Sequence, residues 1–346
     1  MRRENYFDYA ATTPAAPEVI RAVAESMTEE IGNPHSIHAL GRAAHVAIES
    51  ARSKVAALVG CSPEQIVFTS GATESNLWFC AMEGSLAAGT WEHSSMREGV
   101  RRAGGTFFDP TQSAPTADRL SCILVSNETG DMTDPSALST TAVLHTDATQ
   151  ALGKIPLSLE ALDFASFSAH KLYGPKGIGA MYIRDGHAEP WFIGGGQEEG
   201  RRSGTANVAG IVGFGVAAEL ALHRLEHDFD HAQQLLSVLM TELDLPGVRP
   251  VRGRDASPYI LALNIDGVAG QSLVEEMDLR GFAISAGAAC SSQSTAPSPV
   301  LLAMGLSEHE ARSTVRISFG RENTEESTRD LAAHLTKAIQ NLKSLK

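Results

Sequence analysis

The chain has 346 residues and a formal net charge of −13, from 28 basic and 41 acidic side chains. The acidic balance disfavours a nucleic acid or an anionic membrane surface as the main partner. Hydrophobic residues make up 43% and charged residues 20% of the chain, which excludes a disordered protein. Because single domains usually hold about 150 residues, the length predicts two folded domains.

Targeting and disulfide signals are not found in the sequence. The N-terminal stretch MRRENYFDYAATTP has no apolar segment such as a secretory signal needs. The most apolar later run, VAGIVGFGVAAELALHRL, is interrupted by Glu219 and His223, so we expect no membrane span and a cytoplasmic protein. The cysteines form no CxxC pair, which disfavours a metal site or a disulfide framework: Cys61, Cys80, Cys122 and Cys290.

The first elements predicted along the chain are helices. Pro17 and the helically spaced apolar residues after it predict a helix over 17–31. A second helix is predicted over 38–60, where Gly60 can end it in the left-handed conformation. The segment QIVFTSGATESNLWFCAM then predicts a strand, a glycine turn and another helix.

Short strands alternating with helical or loop pieces follow. Strands are predicted within CILVSNETG, AVLHTDATQ, FASFSAHK and GIGAMYI, and each ends in polar residues. This alternation predicts an α/β sheet, in which ligands bind beyond the strand ends. A long helix is predicted from about 207 to 244, before LPGVRP breaks the pattern.

The remainder of the chain predicts a smaller α+β domain. It contains strand-like YILALNI and TVRISFG, helix-like GQSLVEEMDLRG, the loop SAGAACSSQSTAPSP, and a final helix from about 324. We therefore expect a large domain over 14–245 and a small domain formed by 1–13 and 246–346.

Three sequence features together suit pyridoxal 5′-phosphate. Lys171 follows a predicted strand in SFSAHKLYGPKGIG, where a solvated charge is the more common role. Asp147 and Gln150 follow the preceding strand, so all three side chains can reach one crevice, although an ion pair alone is an alternative. The turn over 69–75, TSGATES, offers N–H groups and hydroxyls to a phosphate, or merely caps a helix. A lysine, a carboxylate and a phosphate site are what this cofactor requires.

The motifs resemble those of the class V aminotransferases, and among these the NifS/IscS-type cysteine desulfurases. Ten motifs stand in the family's order over nearly the whole chain: YFDYAATTP, GNPHSIHALGR, IVFTSGATESN, EHSSM, NETG, HTDATQALGK, SFSAHKLYGPKGIG, GGGQEEGRRSGTANV, SAGAACSS and VRISFGRENTEE. The resemblance implies a fold-type I transferase, an α/β fold whose large domain has a mostly parallel sheet flanked by helices. A smaller α+β domain completes this fold.

The resemblance also implies roles for individual residues. Lys171 would bear the cofactor, Asp147 would pair with its pyridine nitrogen, and His93 would stack on its ring and act in catalysis. Arg316 would hold the substrate carboxylate together with Asn127. The other implied cofactor ligands are Gln150, Thr73, Ser168, His170, Asn127 and, supplied across the interface of a homodimer, Thr205.

Cys290 is the residue that distinguishes a desulfurase from other members. A lone cysteine is usually an inert buried side chain, but this one stands among small and polar residues in a predicted loop. The resemblance aligns it with the cysteine that takes sulfur from L-cysteine, giving L-alanine and a persulfide. The sulfur then passes to an acceptor protein, either an iron–sulfur scaffold or a thiolation enzyme, and the sequence leaves that choice open.

Two alternatives stay open at the level of sequence. One is a selenocysteine lyase or another class V aminotransferase activity, and a transaminase would not need Cys290. The other is a non-catalytic homologue that only binds, because three connections, after Asn76, Gly104 and Gly130, look shorter than is usual in the family. Retention of Lys171, Cys290 and Arg316 argues against this second alternative.

Overall fold

The computed structural model describes residues 2–138, 140–186, 188–287 and 296–344. The chain forms two compact units, which we call the larger and the smaller unit. The larger unit comprises Thr13–Leu124 and Thr133–Leu225, and the smaller comprises Met1–Thr12, Val125–Met132 and Glu226–Lys346.

These units differ from the expected limits of 1–13, 14–245 and 246–346 at two points. The smaller unit also takes the short segment Val125–Met132, and its last stretch begins at Glu226, inside the long helix. The sequence break at LPGVRP marks where the helix ends. The helix passes from the larger to the smaller unit about twenty residues before that break, and no local feature of the sequence indicates this change.

The larger unit contains a seven-stranded sheet in the order β1-β7-β6-β5-β4-β2-β3. Strand β7 is antiparallel to its neighbours β1 and β6, and the other pairs are parallel. This confirms the predicted α/β fold with a mostly parallel sheet. The strands are β1 Ile66–Thr69, β2 Leu86–Gly89, β3 Thr106–Phe108, β4 Arg119–Ser121, β5 Val143–Asp147, β6 Phe164–Ser168 and β7 Gly179–Ile183.

Helices flank this sheet and supply its apolar partners. They are α1 Pro17–Glu29, α2 Ala39–Val59, α3 Ala72–Ala81, α4 Ser94–Arg102 and the first half of α5 Val208–Glu242. Helix α2 ends as predicted, with Gly60 at a φ of 71° in the left-handed region. Trp78 and Phe79 of α3 and Met96 of α4 pack with Met181 of β7 in one buried cluster.

One predicted strand was wrong in position. The segment CILVSNETG contains no regular strand, and β4 lies just before it at Arg119–Ser121. The chain still runs beside β5, because the N–H groups of Cys122 and Leu124 donate to the carbonyls of His145 and Asp147 at 3.1 Å each. The apolar run therefore indicates that this segment is buried beside β5. It does not indicate a continuous set of strand hydrogen bonds.

The smaller unit is built on a four-stranded antiparallel sheet in the order β10-β11-β9-β8. The apolar sides of β9 and β11 pack with α9 in a buried cluster that includes Leu263, Ile317 and Leu335. Its elements are β8 Val248–Val251, β9 Ile260–Ile265, α6 Gly270–Leu279, β10 Ser285–Ala286, α7 Pro299–Ala303, α8 Glu308–Arg312, β11 Thr314–Ser318 and α9 Glu325–Ser344. These positions confirm the predicted α+β pattern.

Helix α5 is, by length and composition alone, apolar enough to cross a membrane, with a mean hydropathy of 1.5 over its most apolar 18 residues. Within that window, 44% of the helix is buried in the protein. Core helices of globular proteins have the same composition, so this helix is weak evidence for a membrane span.

Candidate active site

Lys171 lies on a short turn that the surrounding chain fixes firmly. Strand β6 ends at Ser168, and one turn of 3-10 helix, Ala169–Lys171, follows. The Thr13 N–H and hydroxyl both donate to the His170 carbonyl, at 2.9 and 3.0 Å. The Thr13 hydroxyl in turn accepts from the N–H of Tyr173 at 2.8 Å, and Tyr173 has a φ of 65°. These hydrogen bonds therefore hold the backbone that carries Lys171 in one conformation.

Basic side chains surround this turn. Burial, together with the charges of Lys171, Lys176 and Lys154, lowers the pKa of His170 to about 4. His170 is therefore a neutral imidazole at neutral pH. The buried Lys154 donates to the Oε1 atom of Gln150 at 3.0 Å, which fixes the orientation of that amide.

Asp147, at the end of β5, is connected to His93 by two further side chains. The Asp147 carboxylate is buried and accepts from the amide of Asn76 at 2.8 Å and from the N–H of Thr149 at 3.0 Å. The same Asn76 amide donates to the hydroxyl of Ser95 at 2.9 Å. That hydroxyl lies 2.9 Å from Nδ1 of His93. The structure thus brings the two predicted ring-binding residues together.

His93 is also the residue that caps helix α4. Its Nδ1 atom accepts the N–H of Ser95 at 3.2 Å, so its ring orientation is set by the start of the helix. Asn76 and Ser95 were not identified from the sequence. The motifs that contain them, IVFTSGATESN and EHSSM, are the only sequence signal that points to either residue.

The predicted phosphate turn lies where β1 runs into α3. Thr73 is in the first turn of α3, whose N–H groups point toward the preceding loop. A Cβ atom placed on Gly71 would lie 3.6 Å from the hydroxyl oxygen of Ser168, so Ser168 borders the same turn. Strand β7 can pass this closely only because residue 179 is glycine, since a Cβ there would lie 2.6 Å from the Cα of Gly71. Thr73 and Ser168 therefore both adjoin this turn.

Thr205 lines a cavity beside the turn. The cavity has a volume of about 200 Å³ and is bordered by Ser70 and Arg202 as well as Thr205. Arg202 forms an ion pair with Glu74 in the first turn of α3, at 2.8 Å. The segment that carries Thr205 is therefore anchored to the helix that carries Thr73.

In the smaller unit, Arg316 on β11 is almost completely buried, with 2% of its surface exposed. One Nη atom donates to the carbonyl of Asn127 at 2.8 Å, and the other donates to the carboxylate of Asp8 at 2.7 Å. Its Nε atom has no hydrogen-bond partner among the described residues. A buried guanidinium with an unused donor is suited to a carboxylate ligand. Asp8, another residue not identified from the sequence, belongs to the motif YFDYAATTP.

Cys290 lies outside the described residues. Before it, β10 pairs with β11, and Ser285 stands opposite Arg316 in the ladder. After it, the Ser298 hydroxyl caps α7 and donates to the carboxylate of Glu128 at 2.5 Å. Both flanks of the segment 288–295 are therefore tied to elements of the smaller unit.

The other cysteines differ from a nucleophile in their surroundings. Cys80 and Cys122 are buried and Cys61 is half-buried. Burial raises the pKa of each of the three thiols to about 12. All three are protonated at neutral pH, and this favours the expectation that they are structural.

Comparisons with known proteins agree on one family. The model of the aminotransferase class V family matches residues 5–90 and 110–331. The chain is 36% identical to a cysteine desulfurase IscS of Dictyoglomus turgidum, over 100% of this chain and 97% of that protein. It is also 36% identical to a cysteine desulfurase of Mus musculus, over 99% of this chain and 83% of that protein.

Solved structures show the same likeness. A NifS-like protein superimposes with a TM-score of 0.86 at 31% identity, covering 98% of this chain and 99% of the other. A NifS-like protein from Rickettsia africae superimposes with a TM-score of 0.89 at 28% identity, covering 98% and 100% of the two chains. The similarity therefore extends over both units.

Proposed function

Because the chain belongs to the class V aminotransferases, as a NifS/IscS-type cysteine desulfurase, we propose that it uses pyridoxal 5′-phosphate to take sulfur from L-cysteine. The products would be L-alanine and a persulfide on Cys290. The observation that carries this proposal is the hydrogen-bonded connection from the buried Asp147 and Asn76 through Ser95 to His93, next in the sheet to the turn of Lys171.

The residues that the resemblance assigns to the cofactor fit it chemically. Each oxygen of Asp147 accepts one hydrogen bond from the protein, which leaves capacity to accept a ring N–H. The hydroxyl oxygen of Thr149, two residues on, is buried and has no partner in the described part of the chain. Thr73, Ser168 and His170 would bind the phosphate, together with Thr205 supplied across the interface of the homodimer. Gln150, Asn127 and His93 would contact the ring, and Lys171 would hold the cofactor covalently.

When bound, the cofactor supplies an electron-withdrawing ring that stabilises negative charge at the substrate Cα. Arg316 and Asn127 would orient the carboxylate of L-cysteine, while Lys171 and His93 would move protons at the substrate. Cys290, as thiolate, would attack the substrate sulfur, so that an S–S bond forms and the Cβ–S bond breaks. The substrate carbon skeleton takes up protons and leaves as L-alanine, and the reaction needs no external oxidant.

The test is a product assay on the purified protein. Incubation with L-cysteine and a thiol reductant is expected to release sulfide and L-alanine in equal amounts. Pyruvate and ammonia in place of alanine would overturn the proposal and indicate a lyase. Alanine from selenocysteine but not from cysteine would favour the selenocysteine lyase, and the absence of both turnover and bound cofactor would favour a non-catalytic homologue.

We also propose a cytoplasmic homodimer that passes sulfur to an acceptor protein, either an iron–sulfur scaffold or a thiolation enzyme. Large exposed apolar side chains in α1 and in the connection from α1 to α2 support the dimer, since such surfaces are usually covered. They include Met27, Ile31 and Ile37, exposed by 69%, 67% and 92%. Light scattering on the purified chain should give twice the mass of 36.7 kDa, and a monomeric mass would contradict the dimer.

Arg316→Lys is expected to lower kcat/KM for L-cysteine on the order of 10- to 100-fold, mainly through KM. Lysine keeps the positive charge but has no guanidinium fork. In the wild type, the two Nη atoms of Arg316 contact Asn127 and Asp8, and Nε is left to bind the substrate. Arg329→Lys, on the exposed face of α9, is the matched control. An unchanged KM in Arg316→Lys, with an unchanged melting temperature, would contradict the role of Arg316.

A further inference from the structure

A chain of four buried polar side chains crosses the larger unit near Asp147. Oε1 of Glu92 is 2.8 Å from the hydroxyl oxygen of Ser121, which is 2.9 Å from Nδ1 of His145. Nε2 of His145 is 2.9 Å from the hydroxyl oxygen of Ser166. All four residues are 0% exposed. Burial of so many polar groups is costly, and the substrate and cofactor contacts proposed above use none of them.

Two members of this hydrogen-bonded chain are sequence neighbours of the two candidate ring-binding residues, Asp147 and His93. His145 precedes Asp147 by two residues on β5, so their side chains lie on the same face of the sheet. Glu92 directly precedes His93, the cap of α4. Phe79 stacks on the imidazole of His145, with ring centres 4.5 Å apart, and fixes its plane.

The surroundings favour neutral forms of both titratable members. Oε2 of Glu92 is buried and has no hydrogen-bond partner among the described residues, which would be costly for a carboxylate. Burial, together with the charge of Asp147, raises the pKa of Glu92 to about 8. The Ser121 hydroxyl, the Ile123 N–H and the charge of Arg97 oppose it.

His145 and two buried thiols are further titratable groups near Glu92. Burial lowers the pKa of His145 well below its ordinary value, against the opposite effect of Asp147. The thiols of Cys80 and Cys122 also sense the charge of Glu92. Burial raises the pKa of each thiol to about 12, so both stay protonated throughout the range in which Glu92 titrates.

We propose that Glu92 and His145 are positioning residues, and that the proton on Glu92 sets the tautomer of His145. When Glu92 is ionised, the Ser121 hydroxyl donates to it, so Ser121 must accept from Nδ1–H of His145. When Glu92 is neutral and donates to Ser121, the hydroxyl donates to Nδ1, and the imidazole proton lies on Nε2 and points to Ser166. One proton thereby reverses every hydrogen bond of the chain.

This reversal has a consequence for the candidate ring site. When Glu92 is neutral, Asp147 is the one member of this carboxylate pair that carries a negative charge. Loss of the proton adds a second negative charge nearby, so the electrostatic potential at Asp147 changes as Glu92 titrates. The consequence for the reaction rests on the proposed function, whereas the buried chain belongs to the protein itself.

The tautomer of His145 can be measured directly by nitrogen NMR on the full-length protein labelled at histidine, with and without pyridoxal 5′-phosphate. A His145→Gln variant identifies the resonance. Between pH 6 and 10 the wild type is expected to change tautomer once, with a midpoint near 8. Glu92→Gln should show one tautomer throughout, while Glu83→Gln, an exposed carboxylate of the same unit, should behave like the wild type.

A second measurement uses the pH dependence of stability. An unfolded glutamate loses its proton near 4.5, whereas Glu92 in the folded chain keeps it to about 8. Between these pH values the folded state holds one more proton than the unfolded state. The free energy of unfolding therefore falls as pH rises, and it stops depending on Glu92 above pH 8. The unfolding equilibrium constant of the wild type should rise about tenfold per pH unit relative to Glu92→Gln in this window.

The two readouts separate this inference from the proposed function. A constant His145 tautomer in the wild type, or the same change in Glu92→Gln, would overturn the inference even if the protein releases sulfide. A tautomer change that depends on Glu92 supports the inference even in a protein without desulfurase activity. If Glu92→Gln does not fold, the wild-type titration alone decides, because a constant tautomer excludes the switch.

Discussion

Lys171→Ala is expected to lower sulfide release from L-cysteine roughly a thousand-fold or more, because the variant loses both the covalent cofactor anchor and a proton-transferring amine. The turn that carries Lys171 is held by Thr13 and by the bond from Gly174 N–H to the Ala169 carbonyl, so the truncation should not disturb the sheet. The variant should also lose the visible absorption of the lysine-linked cofactor.

Lys176→Ala is the matched control for this prediction. Lys176 is exposed, lies five residues further along the same loop and carries the same charge. It should keep both the absorption and at least half of the activity. A Lys171→Ala protein with the turnover of the wild type, or equal losses in both variants, would show that the amine of Lys171 is not the reacting group.

Cys290→Ser is expected to lower sulfide release roughly a hundred-fold or more while the bound cofactor keeps its absorption. The thiolate is the nucleophile that accepts sulfur, and a serine hydroxyl neither ionises near neutral pH nor forms a persulfide. Sulfide release and cofactor absorption, measured on the same preparation, separate a lost nucleophile from a lost cofactor.

Cys61→Ser provides the comparison, because Cys61 is half-buried and burial raises the pKa of its thiol to about 12. This variant should retain the activity of the wild type. Full activity in Cys290→Ser would instead favour a transaminase or another activity that does not pass sulfur through a protein thiol.

Much of the fold followed from the sequence because its signals are local. The periodicity of α2 and the glycine at its end, and the short apolar runs of β5, β6 and β7, each report the structure of the residues that carry them. The prediction of a strand within CILVSNETG was wrong because a buried irregular segment and a hydrogen-bonded strand can have the same run of apolar residues. The boundary expected after residue 245 differs from the unit boundary at Glu226, because packing changes within a continuous helix.

The candidate site was only partly predictable for a similar reason. Lys171 and Asp147 follow strands, so their proximity could be expected from the rule for strand ends. Asn76 lies 71 residues before Asp147 and Asp8 lies 308 residues before Arg316, and only the tertiary fold joins these pairs. Glu92 belongs to the motif EHSSM, but its burial could not be expected, because an isolated glutamate is almost always exposed and this one is completely buried.

The central claim is that sulfur from L-cysteine passes to Cys290. It is tested most directly by mixing the cofactor-loaded protein with a small excess of L-cysteine, without reductant, and then measuring L-alanine and the masses of the cysteine peptides. The account predicts one L-alanine per subunit and one added sulfur atom on the peptide that contains Cys290, with neither product in Cys290→Ser. Alanine formed without added sulfur on that peptide, or added sulfur on Cys61, Cys80 or Cys122 instead, would contradict it.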